Sequence, residues 1–104
     1  MWKTAQRLTT KPVKFGTIVP DLLAMAVQDD HYEDPMDRLA ALSAAIREEL
    51  IDLAAAGCPV IQLEEPPLHL IAGRGPVFGK LGMAELVEVF NTTVKGLRDK
   101  TEVW

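Results

Sequence analysis

The chain of 104 residues is 48% apolar, 25% charged and 6% aromatic, with a formal charge of −4. That length and apolar share suit one folded unit with its own core and exclude intrinsic disorder, which needs low hydrophobicity and high net charge. No apolar run reaches the ~18–20 residues of a bilayer span, the first eleven residues lack the apolar stretch of a secretory signal, and one cysteine excludes an internal disulfide or a paired-cysteine metal site. An acidic balance without a basic cluster argues against nucleic acid as a partner, so a soluble, cytoplasmic α/β unit is expected.

Trp2, Ala5 and Leu8 share a spacing of three and predict a short helix over 2–9, ended before Pro12 because the residue preceding a proline is pushed toward extended geometry. The run 13–19, Val-Lys-Phe-Gly-Thr-Ile-Val, is rich in β-branched and aromatic residues and reads as a strand. Lys14 interrupts it and is expected to snorkel to water rather than reach an interior carboxylate. Pro20 and Asp21 open a short helix to about 28. His31 and Tyr32 then fall in a polar surface loop. Asp34 is a good N-cap, Pro35 suits the first helical position, and Leu39, Leu42, Ile46, Leu50 and Leu53 form one helical face. This helix is predicted over 35–56, with Gly57 as its left-handed terminus.

Val60-Ile61-Gln62-Leu63-Glu64 has no clean alternation and reads as a strand buried on both faces. Cys58, at its N-terminal end, is read as a small buried apolar residue. Glu65-Pro66-Pro67 reads as a hard stop, followed by an irregular stretch over 66–82 in which Ala72-Gly73-Arg74-Gly75-Pro76 is a better flexible lid than a phosphate loop. Leu86, Phe90, Val94 and Leu97 mark a helix over 83–98, and 101–104 opens a third strand. Alternation of this kind predicts a parallel βαβαβ unit with right-handed crossovers.

In parallel α/β folds ligands bind beyond the C-terminal ends of the strands. Glu64 and Glu65 stand at such an end and should point to different sides, one toward the strand-end crevice and one toward the helices. A carboxylate there can hold a substrate ammonium, bind a metal or act as a base, or it can simply be a solvated loop charge. His69, in the following loop, is a further proton-donor or ligand candidate.

Three stretches resemble the cobalamin-independent methionine synthase family, in particular its catalytic C-terminal barrel. Residues 9–14, Thr-Thr-Lys-Pro-Val-Lys, look like its Thr-Ser-Lys-Pro-Val-Lys; the acidic helix ending Ala-Ala-Ala-Gly at Gly57 is similar to its counterpart; and 60–66, Val-Ile-Gln-Leu-Glu-Glu-Pro, looks like its Ile-Ile-Gln-Ile-Asp-Glu-Pro. Asn91 also falls where the family tends to place one. The resemblance implies a (β/α)8 barrel that transfers a methyl group from a folate to the thiol of homocysteine, activated by zinc. The family's Asp that holds the amino-acid substrate is replaced here by Glu64, one methylene longer, with Glu65 and His69 as secondary candidates. The position of the folate-stacking aromatic aligns near Ala26. The family's zinc ligands, beginning with a His-x-Cys pair, would follow Trp104, so no cofactor is expected within this chain; Cys58, His31 and His69 match none of those ligands.

A barrel of this type needs ~250 residues, so 1–104 is expected to be a single partial-barrel unit of about three strands, inactive by itself. The alternatives are a non-catalytic module that self-associates through exposed sheet edges, or a related barrel decarboxylase or corrinoid-linked methyltransferase.

Overall fold

The computed structural model describes residues 1–76 and 81–104, the side chains of Leu70 and Arg74 excepted. Helix α1, Trp2–Arg7, is held by two of its side chains. The indole Nε1 of Trp2 donates to the Val13 carbonyl at 2.8 Å, and Gln6 accepts from the Val13 N–H at 3.0 Å while donating to the Lys11 carbonyl. Both backbone groups of Val13 are thereby used by α1. The first strand, β1, accordingly spans Phe15–Ile18 rather than beginning at 13.

Helix α2, Pro20–Ala26, follows at once, and after a loop comes α3, Pro35–Ala55. The Asp34 carboxylate accepts from the Met36 N–H at 2.9 Å, as its N-cap position predicts. At the other end Gly57, with φ +91°, donates to Ala54 and Cys58 donates to Leu53, the paired bonds of a Schellman terminus. Strand β2 is Val60–Glu64, and β3 is Glu102–Val103. The sheet is parallel in the order β1-β2-β3, with Ile18 opposite Glu64 and Ile61 opposite Val103. It is the α/β arrangement expected, with two helices in the first crossover as read and an additional helix, α4, in the second.

The second crossover corrects the sequence reading most. Residues 66–74 are not irregular: α4 spans Pro66–Arg74. Two prolines that look like a stop occupy the first helical turn, where no backbone N–H has an intrahelical acceptor and φ near −65° suits the helix. Ala72 and Gly73 therefore belong to a helix rather than a lid, and Gly75, at φ +86°, ends it. Of the stretch read as irregular, 77–80 lie outside the described residues. Helix α5, Met83–Val94, ends earlier than 98, and a turn closed by Leu97 N–H to Val94 carbonyl still delivers Leu97 to the core.

All the helices that cover the sheet pack on one face. Ile61 and Leu63 on β2 are buried there with Val19, Leu50, Ala54, Cys58, Val94 and Leu97. A second apolar cluster joins Ala24, Leu39, Ile71, Leu81 and Leu86 of the helical layer. The prediction of a strand buried on both sides is thus not met. Val60 and Gln62 are half-buried and Glu64 exposed, so β2 alternates, and among the described residues the second face of the sheet is open. The radius of gyration, 15.0 Å, exceeds the roughly 13 Å of a compact domain of this length, as expected when one sheet face has no covering layer.

Candidate functional site at the C-terminal ends of the strands

β1 and β2 are neighbours in parallel register and both turn directly into a proline-initiated helix. Their C-terminal ends therefore place two similar turns side by side, Val19-Pro20-Asp21 and Glu65-Pro66-Pro67. The ladder runs up to the turns, since the Val19 N–H donates to the Glu64 carbonyl at 3.3 Å. Pro20 and Pro67 are fully buried, which fixes both turns against the core.

Strand alternation separates the two glutamates. Glu64 follows Val60 and Gln62 onto the open face and is exposed. Below it lies a chain of polar contacts: Lys14 Nζ donates to Gln62 Oε1, and Gln62 Nε2 donates to Glu64 Oε1 at 3.5 Å. The Lys14 ammonium also lies 4.9 Å from the centre of the Trp104 ring, a cation–π contact. Lys14 is exposed just before β1, as its expected reach to water requires, and its ammonium meets the Gln62 amide and the Trp104 ring rather than an interior carboxylate.

Glu65 turns to the helix side. It borders a cavity of about 240 Å³ lined by Leu63, Leu68, Leu86, Val87, Phe90 and Trp104. Both its carboxyl oxygens are shielded from solvent and lack a hydrogen-bond partner, as does Oδ2 of Asp21, whose residue is 2% exposed. Burial raises the pKa of each, and the negative charge of Asp21 helps push Glu65 up to about 7. A proton shared between the two carboxyls is the arrangement that leaves the least uncompensated charge in such a place. Asp21 escaped the sequence reading: it follows the helix-initiating Pro20, whereas Glu65 precedes Pro66, and a first-turn acid at such a position reads as ordinary helix-start chemistry.

His69 is not brought into this group. It lies in α4 rather than a loop, one turn beyond Glu65, and is exposed. Among the described residues no set of three or more His, Cys, Asp and Glu side chains converges to hold a metal. Cys58 is buried at the opposite end of β2, donating its thiol to the Val60 carbonyl, and His31 sits edge-on to Tyr32 in the loop before α3. The described residues therefore do not fit a zinc site. Nor do they include a helix long and apolar enough to cross a membrane. A larger cavity, about 430 Å³, lies between α3 and α5. Of its three charged residues, Arg47 and Glu85 are committed to the two ends of α5 and Glu88 is exposed, and the cavity lies between α3 and α5, away from the strand ends.

The family described as cobalamin-independent synthase, catalytic domain, matches residues 2–103. Curated relatives agree. The chain is 37% identical over 106 residues to the 5-methyltetrahydropteroyltriglutamate–homocysteine methyltransferase of Streptomyces coelicolor, covering 98% of this chain and 13% of that protein. It is 40% identical over 107 residues to the enzyme of the same name from Nitratidesulfovibrio vulgaris, with the same two coverages. For the Mycobacterium leprae enzyme the identity is 31% over 104 residues, covering 98% of this chain and 14% of the relative. The chain thus spans about one-seventh of the length of these relatives. No solved structure matches the chain.

Proposed function

The chain belongs to the cobalamin-independent synthase catalytic-domain family, and from that premise we propose that it forms part of a (β/α)8 barrel that transfers a methyl group to the thiol of homocysteine. Within that barrel Glu64 holds the ammonium of the amino-acid substrate. The observation that carries this reading is the position of Glu64: an exposed carboxylate at the C-terminal end of β2, on the sheet face that no helix among the described residues covers. In a closed barrel that face is the interior, and strand ends on that side bind the substrate. Gln62 holds one carboxylate oxygen and leaves the rest of the group free to accept from an ammonium. Glu65 contributes by fixing the turn rather than by touching substrate.

The chemistry also demands a thiolate, since a thiol near pKa 8.5 is mostly protonated at neutral pH and needs a metal or a base to activate it. We assign that task to groups outside 1–104, because the described residues do not form a metal site. The chain in isolation is therefore proposed to bind the amino-acid end of the substrate without completing turnover.

Two measurements test this. In an NMR titration of the chain, L-homocysteine should shift the Glu64 carboxyl resonance, whereas 4-mercaptobutyrate, which lacks the amino group, should not. Glu64→Gln should weaken homocysteine binding by about tenfold or more, the usual worth of a charge-assisted hydrogen bond. Equal responses to the two thiols would remove Glu64 from the site. Methyl transfer to homocysteine with added zinc should be undetectable with the isolated chain, and robust turnover would contradict the partial-barrel reading.

The sheet gives a second reading some support. Its outer strands, β1 and β3, each pair with β2 alone among the described residues, and an unpaired strand edge is a site for association with another chain. Neighbouring barrel strands are the proposed cover; a second copy of the chain is the alternative. Size-exclusion chromatography separates them, since a dimer that dissociates when the rest of the barrel is supplied supports the first and a persistent homodimer the second.

A further inference from the structure

We propose that Asp21 is a positioning residue of the strand-end site: its carboxylate and the carboxyl of Glu65 share one proton across the β1–α2 and β2–α4 turns, and this bond sets the turn that presents Glu64 to the open face. The inference rests on the reading of Glu64 as the ammonium contact for its functional meaning, but the bond itself stands on separate observations.

The first is geometric. The two turns are adjacent because β1 and β2 are parallel neighbours with Ile18 opposite Glu64. In chain order each acid stands between the two apolar clusters, Asp21 between Val19 and Ala24, Glu65 between Leu63 and Leu68. The second is chemical. Three carboxyl oxygens here are withdrawn from solvent and lack a partner, and Asp21 as a residue is almost wholly buried. Two bare carboxylates in that setting repel and lose hydration, and one proton removes both costs at once. Burial raises both acids and each is coupled to the other, so a single proton held between them serves both.

Among the described residues, the other charged groups of the surrounding elements are engaged elsewhere or face away. Arg38 of α3 pairs with Asp29 and donates to the Val27 carbonyl. Glu85 of α5 accepts from the Gly82 N–H, Glu88 lines the far cavity between α3 and α5, His69 of α4 is exposed, and Glu64 lies on the other side of the sheet. Above neutrality the proton leaves Glu65 for solvent, the two carboxylates repel, and the turn bearing Glu64 loses its brace.

The test tracks the carboxyl carbons of the full chain by NMR between pH 4 and 9. Glu65 should titrate near neutrality, and the Glu64 resonance should show a second inflection at the same pH. Asp21→Asn, whose amide donates to a Glu65 carboxylate, should lower the Glu65 midpoint by about one pH unit or more and remove that inflection from Glu64. An ordinary carboxylate midpoint for Glu65 in the unaltered chain overturns the proposal, as does a Glu64 resonance indifferent to it. If Asp21→Asn fails to fold, Glu65→Gln serves, with loss of the second Glu64 inflection expected and its retention fatal. Amine binding is read separately: homocysteine that fails to shift Glu64 while the coupled titration persists refutes the substrate role and leaves the brace standing.

Discussion

Replacing Glu65 by Gln should abolish most of the chain's dependence of stability on pH between about 5 and 8. The sign is set by the direction of the shift. Burial and the neighbouring Asp21 raise Glu65 from 4.5 to about 7 in the folded chain, so the folded state binds this proton more tightly than the unfolded state does. Stability from this group is fully present below the unfolded value and is lost as pH climbs through the folded one. A shift of this size, at about 1.4 kcal/mol per pH unit, sets a ceiling of about 3 kcal/mol. Glu65 is only partly buried, and solvent screening reduces the expected loss to about 1–2 kcal/mol. Asp21, also raised, adds to the same trend from a lower starting value. Asp29 is the described carboxyl shifted down, held there by the N–H groups of His31 and Tyr32, and it acts only below about pH 4, outside the window. Urea unfolding at pH 5 and pH 8 measures the difference through the midpoint concentration. Equal midpoints in the unaltered chain, or a slope that survives Glu65→Gln, would refute the argument.

Arg47→Met should destabilise the chain by about 1–2 kcal/mol in urea, because one guanidinium nitrogen of α3 reaches the carbonyls of Thr92, Thr93 and Lys95 that end α5; an unchanged midpoint would show that water serves those carbonyls as well. Leu50→Ala, at a site 1% exposed in the main cluster, should cost about 3 kcal/mol and lower the melting temperature, and a loss below about 1 kcal/mol would mean the cluster closes over the cavity. Asp34→Ala should cost about 1 kcal/mol through loss of the bond to the Met36 N–H, with Asp34→Asn or Asp34→Ser retaining most of it.

What could be read from the chain divides by the range of the interactions involved. The ends of α3 were legible because their chemistry is local: a short acid before a proline satisfies the first N–H groups, and a glycine at positive φ admits the terminal turn. The parallel order of β1, β2 and β3 was legible for a similar reason, since alternation with helices leaves little other topology. Pro66-Pro67 failed as a signal because proline has two local meanings, helix start and helix end, and only the residues downstream decide between them. Leu68 and Ile71, packed into the second cluster, made it a start. Glu65 and Asp21 lie 44 positions apart, and no periodicity in either segment reports their approach.

The open face of the sheet joins these threads. A five-residue strand in which Val60, Ile61 and Leu63 surround a lone Gln62 gives the same pattern whether its second side meets helices or a barrel interior. The distinguishing information is in Lys14, Gln62, Glu64 and Trp104, four residues that are awkward in a sheet covered on both faces and suited to a face that encloses a polar site. Lys14, the residue that looked misplaced in an apolar strand, is thus the sequence's own sign that one side of this sheet is not core. The carboxylate it helps to orient through Gln62 sits where the strand-end rule places substrate contacts, while the acid next to it turns inward, where burial and Asp21 raise its pKa. One backbone step divides an exposed carboxylate, proposed to receive an ammonium, from a half-buried acid proposed to brace it. A Glu-Glu pair at the end of a parallel strand is therefore better read as two environments than as two equivalent candidates for one role.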